Sequence, residues 1–198
     1  GLGGALQGDL NAQGSLKSPR LDLDMTGEAL RYQTQQLQSL SLKAQSEGID
    51  DPRVNADVSI EGLEAGGQRV DALSAALAGR LSQHTLELDA RLGSGLPLSR
   101  VSLTLDGQYD ANAQRYRGSL APLELATEYG NIALDDALEF DADVATQRVT
   151  LAPFCLVRQQ GGEACLVDRA RLAADTGDAS LALRDIPMDL LADKLPSG

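Results

Sequence analysis

Val54-Asn55-Ala56-Asp57-Val58-Ser59-Ile60 alternates apolar and polar side chains without a miss. Successive side chains of a β-strand point to opposite faces, so this stretch has one aliphatic face and one wet face. The same reading applies to Leu21-Asp22-Leu23-Asp24-Met25, to Leu86-Glu87-Leu88 and to Val101-Ser102-Leu103-Thr104-Leu105. The pattern recurs from end to end with almost no helical run between its copies. It predicts an all-β chain whose strands must bury one face against something. A ligand is one candidate for that something.

Composition narrows the candidates. The chain has 198 residues, enough for a sizeable core, with 42% hydrophobic content. Only 3% is aromatic and Trp is absent, so a core would be built from Leu, Val, Ile and Ala rather than from rings. The formal net charge of -12 and pI near 4.4 argue against nucleic acid, whose phosphates call for clustered Lys and Arg. They argue equally against adhesion to an anionic membrane surface. The plain reading of such charge is solubility. No stretch approaches the ~20 apolar residues of a membrane-spanning helix, and no signal region is present. The alternation starts almost at residue 5 after Gly1-Leu2-Gly3-Gly4, and a piece of a longer protein is expected.

Cys155 and Cys165 flank Gly161-Gly162. A hairpin turning near residue 160 would set them opposite each other at ~4.5–5.5 Å, within disulfide reach. The bridge would stabilise by about 2–3 kcal/mol and imply an oxidising compartment. A zinc site would need two further ligands nearby, and His84 is the single histidine.

Three blocks read as imperfect strand–turn–strand copies. Pro19 to Gly27 joins Leu37 to Leu42, Val54 to Gly62 joins Val70 to Gly79, and Val101 to Gly107 joins Arg115 to Leu120. Repetition at this interval suggests a solenoid-like stack in which each unit packs only on its neighbours. Ser18-Pro19, Asp50-Asp51-Pro52, Gly66-Gly67, Gly93-Ser94-Gly95 and Asp110-Ala111-Asn112 supply the turns. Val70, Leu73, Leu77 and Leu81 also fit helical spacing, but the flanking glycines and the place in the repeat favour a strand. A short helix is expected over 187–195, with Pro187 in its first turn and apolar residues at 188, 191 and 195.

No catalytic motif is present: no HExxH, P-loop, GxSxG or GxGxxG after a strand. The carboxylate pairs Asp22/Asp24, Asp135/Asp136 and Asp141/Asp143 read as solvated faces, and His84 reads as an exposed strand or turn residue. Stacking aromatics for carbohydrate are few. The chain reads as a non-enzyme needing no cofactor and no metal. The positive signal is the aliphatic stripe. It fits the closed core of a β-sandwich or barrel, and equally an open, curved sheet that shields acyl chains at about 0.8 kcal/mol per CH₂.

Three stretches carry a family resemblance. Gly8 to Leu21 is similar to a recurrent G-L-x-L-x-G-x-L-x-x-P-x-L unit; Pro153-Phe154-Cys155 to Cys165 resembles a Pro-aromatic-Cys with its partner Cys about ten residues on; Asp185 to Pro196 resembles the Leu-Pro segment that follows. All three resemble the TamB group of the AsmA-like, bridge-like lipid-transfer family. The repeat unit is weakly specific, and the Cys pair followed by the Leu-Pro segment more so. Residues 1–30 and 150–198 carry the likeness; the middle matches in pattern only.

The resemblance implies a β-taco, a half-open tube of stacked strands with an aliphatic interior, in an inner-membrane-anchored parent that crosses the periplasm. It implies passage of phospholipid acyl chains toward the outer membrane, and an outer-membrane TamA-like protein as partner of the parent chain. Residues 1–198 would form a single repetitive β segment of that parent, with anchor and outer-membrane contact elsewhere. The residues expected to line the groove are Leu21, Leu23, Met25, Leu40, Leu42, Val58, Ile60, Leu73, Leu77, Leu86, Leu88, Val101, Leu103, Leu105 and Leu120. Asp22, Asp24, Glu87 and Thr104 should face solvent. A register slip of one residue would turn any of these strands over. Two other readings remain: a scaffold that offers strand edges to outer-membrane proteins by β-augmentation, and a plain stalk.

Overall fold

The computed structural model describes residues 2–187. Every regular element among them is a β-strand. Eight long strands come first: β1 (Leu2–Ser15), β2 (Ser18–Tyr32), β3 (Gln35–Glu47), β4 (Arg53–Ala65), β5 (Gln68–Arg80), β6 (Gln83–Leu92), β7 (Leu98–Asp110) and β8 (Arg115–Thr127). Eight short ones follow. They are β9 (Gly130–Leu134), β10 (Leu138–Asp143), β11 (Arg148–Leu151), β12 (Phe154–Arg158), β13 (Glu163–Leu166), β14 (Ala170–Leu172), β15 (Gly177–Asp178) and β16 (Leu181–Arg184).

From β1 to β8 each strand pairs antiparallel with its sequence neighbours, as the turn residues at Gly66-Gly67 and Asp110 to Asn112 require. The segment 70–80 that fitted two periodicities is strand β5. Leu81, the fourth residue of the helical alternative, lies exposed in the turn after it. The three expected blocks are the β2–β3, β4–β5 and β7–β8 hairpins. The single strand β6 stands between the second and third, so the result is a continuous meander rather than a stack of separate units. The helix expected over 187–195 falls, apart from Pro187, outside the described residues.

Beyond β8 the meander continues with each long strand broken in two. β9 pairs with residues 124–127 of β8, and β10 with residues 115–120. β12 and β11 then pair with β9 and β10, β13 and β14 with those, and β16 and β15 with those in turn. The breaks fall at 135–137, 152–153, 167–169 and 179–180 and line up across the sheet as a crease. Pro153, which has no N–H for a ladder, occupies one of them. Asp135 N–H donates to the Cys155 carbonyl at 3.0 Å, Ala152 N–H to Glu139 at 2.9 Å and Val167 N–H to Ser180 at 2.9 Å, so backbone groups at the crease still find partners.

The sheet is open and does not close into a barrel or stack on a second sheet. Its accessible surface is 13425 Å², against about 9,000 Å² for a compact monomer of this mass. Among the described residues the tightly buried hydrophobic ones are Ala90, Cys165, Leu166 and Ala170, and three of these four sit beside the crease. The closed-core reading of the stripe is therefore replaced by an open sheet.

Candidate functional site: an uncovered aliphatic face

Strand register decides which side chains share a face, because directly opposed residues of an antiparallel pair point the same way. Met25, Leu42, Val58, Ala75, Leu88, Leu103 and Leu123 form one row across seven strands. Leu23, Ala44, Ala56, Leu77, Leu86, Leu105 and Leu120 form the row on one side of it. Leu40, Ile60, Leu73, Ala90, Val101 and Leu125 form the row on the other. A further row begins with Leu21 and runs through Ser46, Val54, Gly79, His84, Gly107 and Gly118 to Phe140. All fifteen residues expected to line a groove thus fall on one face of one sheet. Fourteen are half-buried and Leu21 is exposed.

One row escaped the alternation: Leu30, Leu37, Leu63, Val70 and Leu92 are cross-strand partners in sequence. A Cβ on Gly27 would meet Leu30 Cδ1 at 2.8 Å, which puts Leu30 on the aliphatic face. It follows Gly27 by three positions instead of two. The pleat is interrupted by positive φ at Ala29 (48°) and Gly62 (61°), so the next inward residue arrives one place late. The signal available in sequence was Gly62 between Ile60 and Leu63; nothing comparable marks Ala29.

Asp24 and Glu87 are exposed on the other face, and Asp22 and Thr104 are half-buried there among polar neighbours. That face is hydrophilic from β2 to β8. It carries a shallow hollow of about 400 Å³ lined by Ser41, Ser59, Ser74, Glu87, Ser102 and Thr104. A larger one, about 1060 Å³, lies over Arg117, Ser119, Asp141 and Arg171. A twisted sheet is saddle-shaped and hollows along one diagonal of each face, which is how the polar side acquires them. Arg115 and Arg117 converge on Asp141 at 2.7 and 3.1 Å, and the Arg115 hydrogen bond holds that carboxyl below its ordinary pKa.

His84 departs from its expected exposure. It lies in strand β6, one of its two expected settings, but half-buried on the aliphatic face instead of exposed. The Gly79-to-Phe140 row accounts for this: Gly107 and Gly118 leave space that rings fill. A Cβ on Gly107 would stand 2.0 Å from Tyr116 Oη, and one on Gly118 2.5 Å from Phe140 Cζ. His84 and Tyr116 have ring centroids 5.6 Å apart, and Tyr116 and Phe140 stack at 5.8 Å. His84 Nδ1 lies 3.1 Å from the Arg80 carbonyl, which can only accept, so Nδ1 carries the proton. In the neutral ring Nε2 then accepts the Tyr116 hydroxyl proton across 2.9 Å. Burial pushes the Tyr116 phenol pKa upward.

Cys155 and Cys165 are directly opposed on β12 and β13 with Cα atoms 4.1 Å apart and form the expected disulfide. It lies on the side of these strands opposite Leu156. Glu163 stands close enough to complete a three-ligand cluster with the two sulfurs, but thiols tied up in a disulfide are not thiolate ligands. Arg158, on the aliphatic side of β12 opposite Ile132, donates to the carbonyls of Tyr129 and Gly161.

Chemically the site is a broad, smooth hydrocarbon surface. From β2 to β8 the five rows carry no charged side chain. Over residues 1–198 the chain matches the family model described as "TamB, N-terminal domain". It is 24% identical, over 155 residues, to the translocation and assembly module subunit TamB of Haemophilus influenzae. That alignment covers 78% of this chain and 12% of the relative. No solved structure matches.

Proposed function

This chain belongs to the TamB N-terminal-domain family, and from that premise we propose that it is a single repetitive segment of a longer, envelope-spanning lipid-transfer protein. In this reading the parent is anchored in the inner membrane, crosses the periplasm, and works with an outer-membrane TamA-like protein. The segment shields phospholipid acyl chains in transit and catalyses nothing. One observation carries the reading: four adjacent rows of aliphatic side chains lie uncharged on one face of an open sheet, with no second layer over them among the described residues. An exposed apolar patch of this size is a liability unless something occupies it. Aliphatic rows suit an acyl chain, which gains about 0.8 kcal/mol per buried CH₂ and needs no directional contact. A lipid held this way can slide, since each row offers the next position the same chemistry.

A second reading rests on β1. That strand pairs only with β2 among the described residues. Leu6 and Leu10 on it are 59% and 69% exposed. A strand of an assembling outer-membrane protein could extend the sheet there.

Photocrosslinking in the intact parent protein, in cells, separates the two. Probes replace Leu23 and Leu103 on the aliphatic face, Asp24 and Glu87 on the polar face, and Asn11 on β1. Phospholipid adducts at the first pair and not the second support the groove. Protein adducts centred on Asn11, with no lipid at Leu23 or Leu103, replace it with the scaffold.

A further inference from the structure

The ring cluster at the edge of the aliphatic face has a polarity of its own. His84 gives its Nδ1 proton to the Arg80 carbonyl, and Tyr116 gives its hydroxyl proton to His84 Nε2. In this arrangement neither side chain has a hydrogen left to donate into the groove. What remains is the phenol oxygen with its lone pairs, beside the stacked rings of Tyr116 and Phe140. The Tyr116 hydroxyl lies over Gly107 and the outer edge of the Phe140 ring over Gly118, so the absence of side chains there brings both groups to the aliphatic face. Lone pairs and aromatic faces complement a cation and offer nothing to a phosphate, which is acceptor-only. The net charge of -12 favours cations in the same sense.

The position is as telling as the chemistry. His84 and Phe140 belong to the row next to Leu77, Leu86, Leu105 and Leu120, one inward step of about 7 Å along the strands. A lipid whose acyl chains lay on the aliphatic rows would carry its polar end to this edge. We infer that the His84–Tyr116–Phe140 cluster binds the alkylammonium end of a zwitterionic phospholipid. The inference rests on the groove reading above and adds a headgroup preference to it.

The test uses the full-length parent protein in cells, with a photocrosslinker in place of Leu77 and another, remote one in place of Leu23. Adducts are identified by mass and their headgroups compared with the membrane's own composition. Ammonium-bearing lipids should be enriched at Leu77 over phosphatidylglycerol by about two- to fivefold, the range of an exposed cation–π contact. Tyr116→Phe, which removes the acceptor and keeps the ring, should reduce that enrichment, and Phe140→Leu should reduce it further. Lipid adducts at Leu23 should persist in both variants, which reports an intact sheet. Adducts whose mass matches free choline or ethanolamine instead of a lipid would make the site one for small amines and overturn the inference. Lipid adducts at Leu77 with the bulk headgroup ratio, unchanged by either substitution, would overturn it while leaving the groove standing. Loss of lipid adducts at both probes in the unmodified background would remove the groove and this inference together.

Discussion

Strands β2 to β8 run 10 to 15 residues each and leave their aliphatic face uncovered. Strands β9 to β16 run 2 to 6 residues each, yet they and their turns hold Cys165, Leu166 and Ala170, at 4%, 4% and 1% exposure. The chain uses one sheet in two ways. Where the strands are unbroken it presents a surface, and where they break it buries a few residues, Leu166 on one face and Cys165 with its disulfide on the other. The difference is confined to the residues at the crease, since Leu181 and Leu183 on the short strand β16 are 74% and 69% exposed.

The largest test of this contrast exchanges one leucine for a charge in each region. Leu166→Asp should cost about 3–5 kcal/mol, because it strands an unpaired carboxylate in a buried site. Leu103→Asp, on the open face, should cost about 1 kcal/mol or less, since water reaches the new charge. Urea denaturation of both variants measures the gap, and equal losses would mean that the aliphatic face is covered in solution. Next in size, Cys155→Ser with Cys165→Ser should remove about 2–3 kcal/mol. In a sheet whose strands touch only their neighbours the loss stays local. Hydrogen exchange should therefore accelerate in β12, β13 and β16 and hold steady in β2 to β5.

A third substitution probes the unbroken half. Gly79 has φ of 132°, and a Cβ there would meet the Gln83 carbonyl oxygen at 2.5 Å. Gly79→Ala should cost about 1–3 kcal/mol in thermal unfolding. Gly107→Ala, whose obstruction is the movable end of Tyr116, should cost less. The smallest effect is that of pH. Asp141 has a lowered pKa, chiefly from the Arg115 hydrogen bond, so its stabilisation is complete above the ordinary carboxylate pKa. It is lost as pH falls through the lower folded-state value. Asp141→Asn should flatten that acid limb of a stability-versus-pH curve by lowering neutral stability by the same small amount and leaving the acid end unchanged.

Much of the aliphatic face was legible in residue order. The hairpins β2–β3, β4–β5 and β7–β8 and the shared face of Leu23, Leu42, Ile60, Leu88 and Leu103 follow from a period of two, which is a local property of an extended backbone. The row from Leu30 to Leu92 was not legible, since a single left-handed residue such as Ala29 shifts the phase and Ala carries no mark of it. Nor was the gathering of His84, Tyr116 and Phe140. These residues lie up to 56 positions apart by their numbering, and only the register of four strands places them over Gly107 and Gly118.

By itself the sequence determined the all-β content, the two faces, the turns near 51, 66–67, 94 and 111, and the pairing of Cys155 with Cys165. The turn expected at Ser18-Pro19 falls at 16–17, and those at 33–34 and 81–82 went unread. Each feature that was determined depends on neighbours within one hairpin, where alternation, glycine and a short loop leave few alternatives. Tertiary structure alone decided that the sheet stays open through β8, that it creases beyond, and that Leu166 is buried while Leu103 is not. Those outcomes depend on how breaks in successive strands align across the sheet. Alternation is identical on a face that is covered and on one that is left open, so no local pattern could distinguish them.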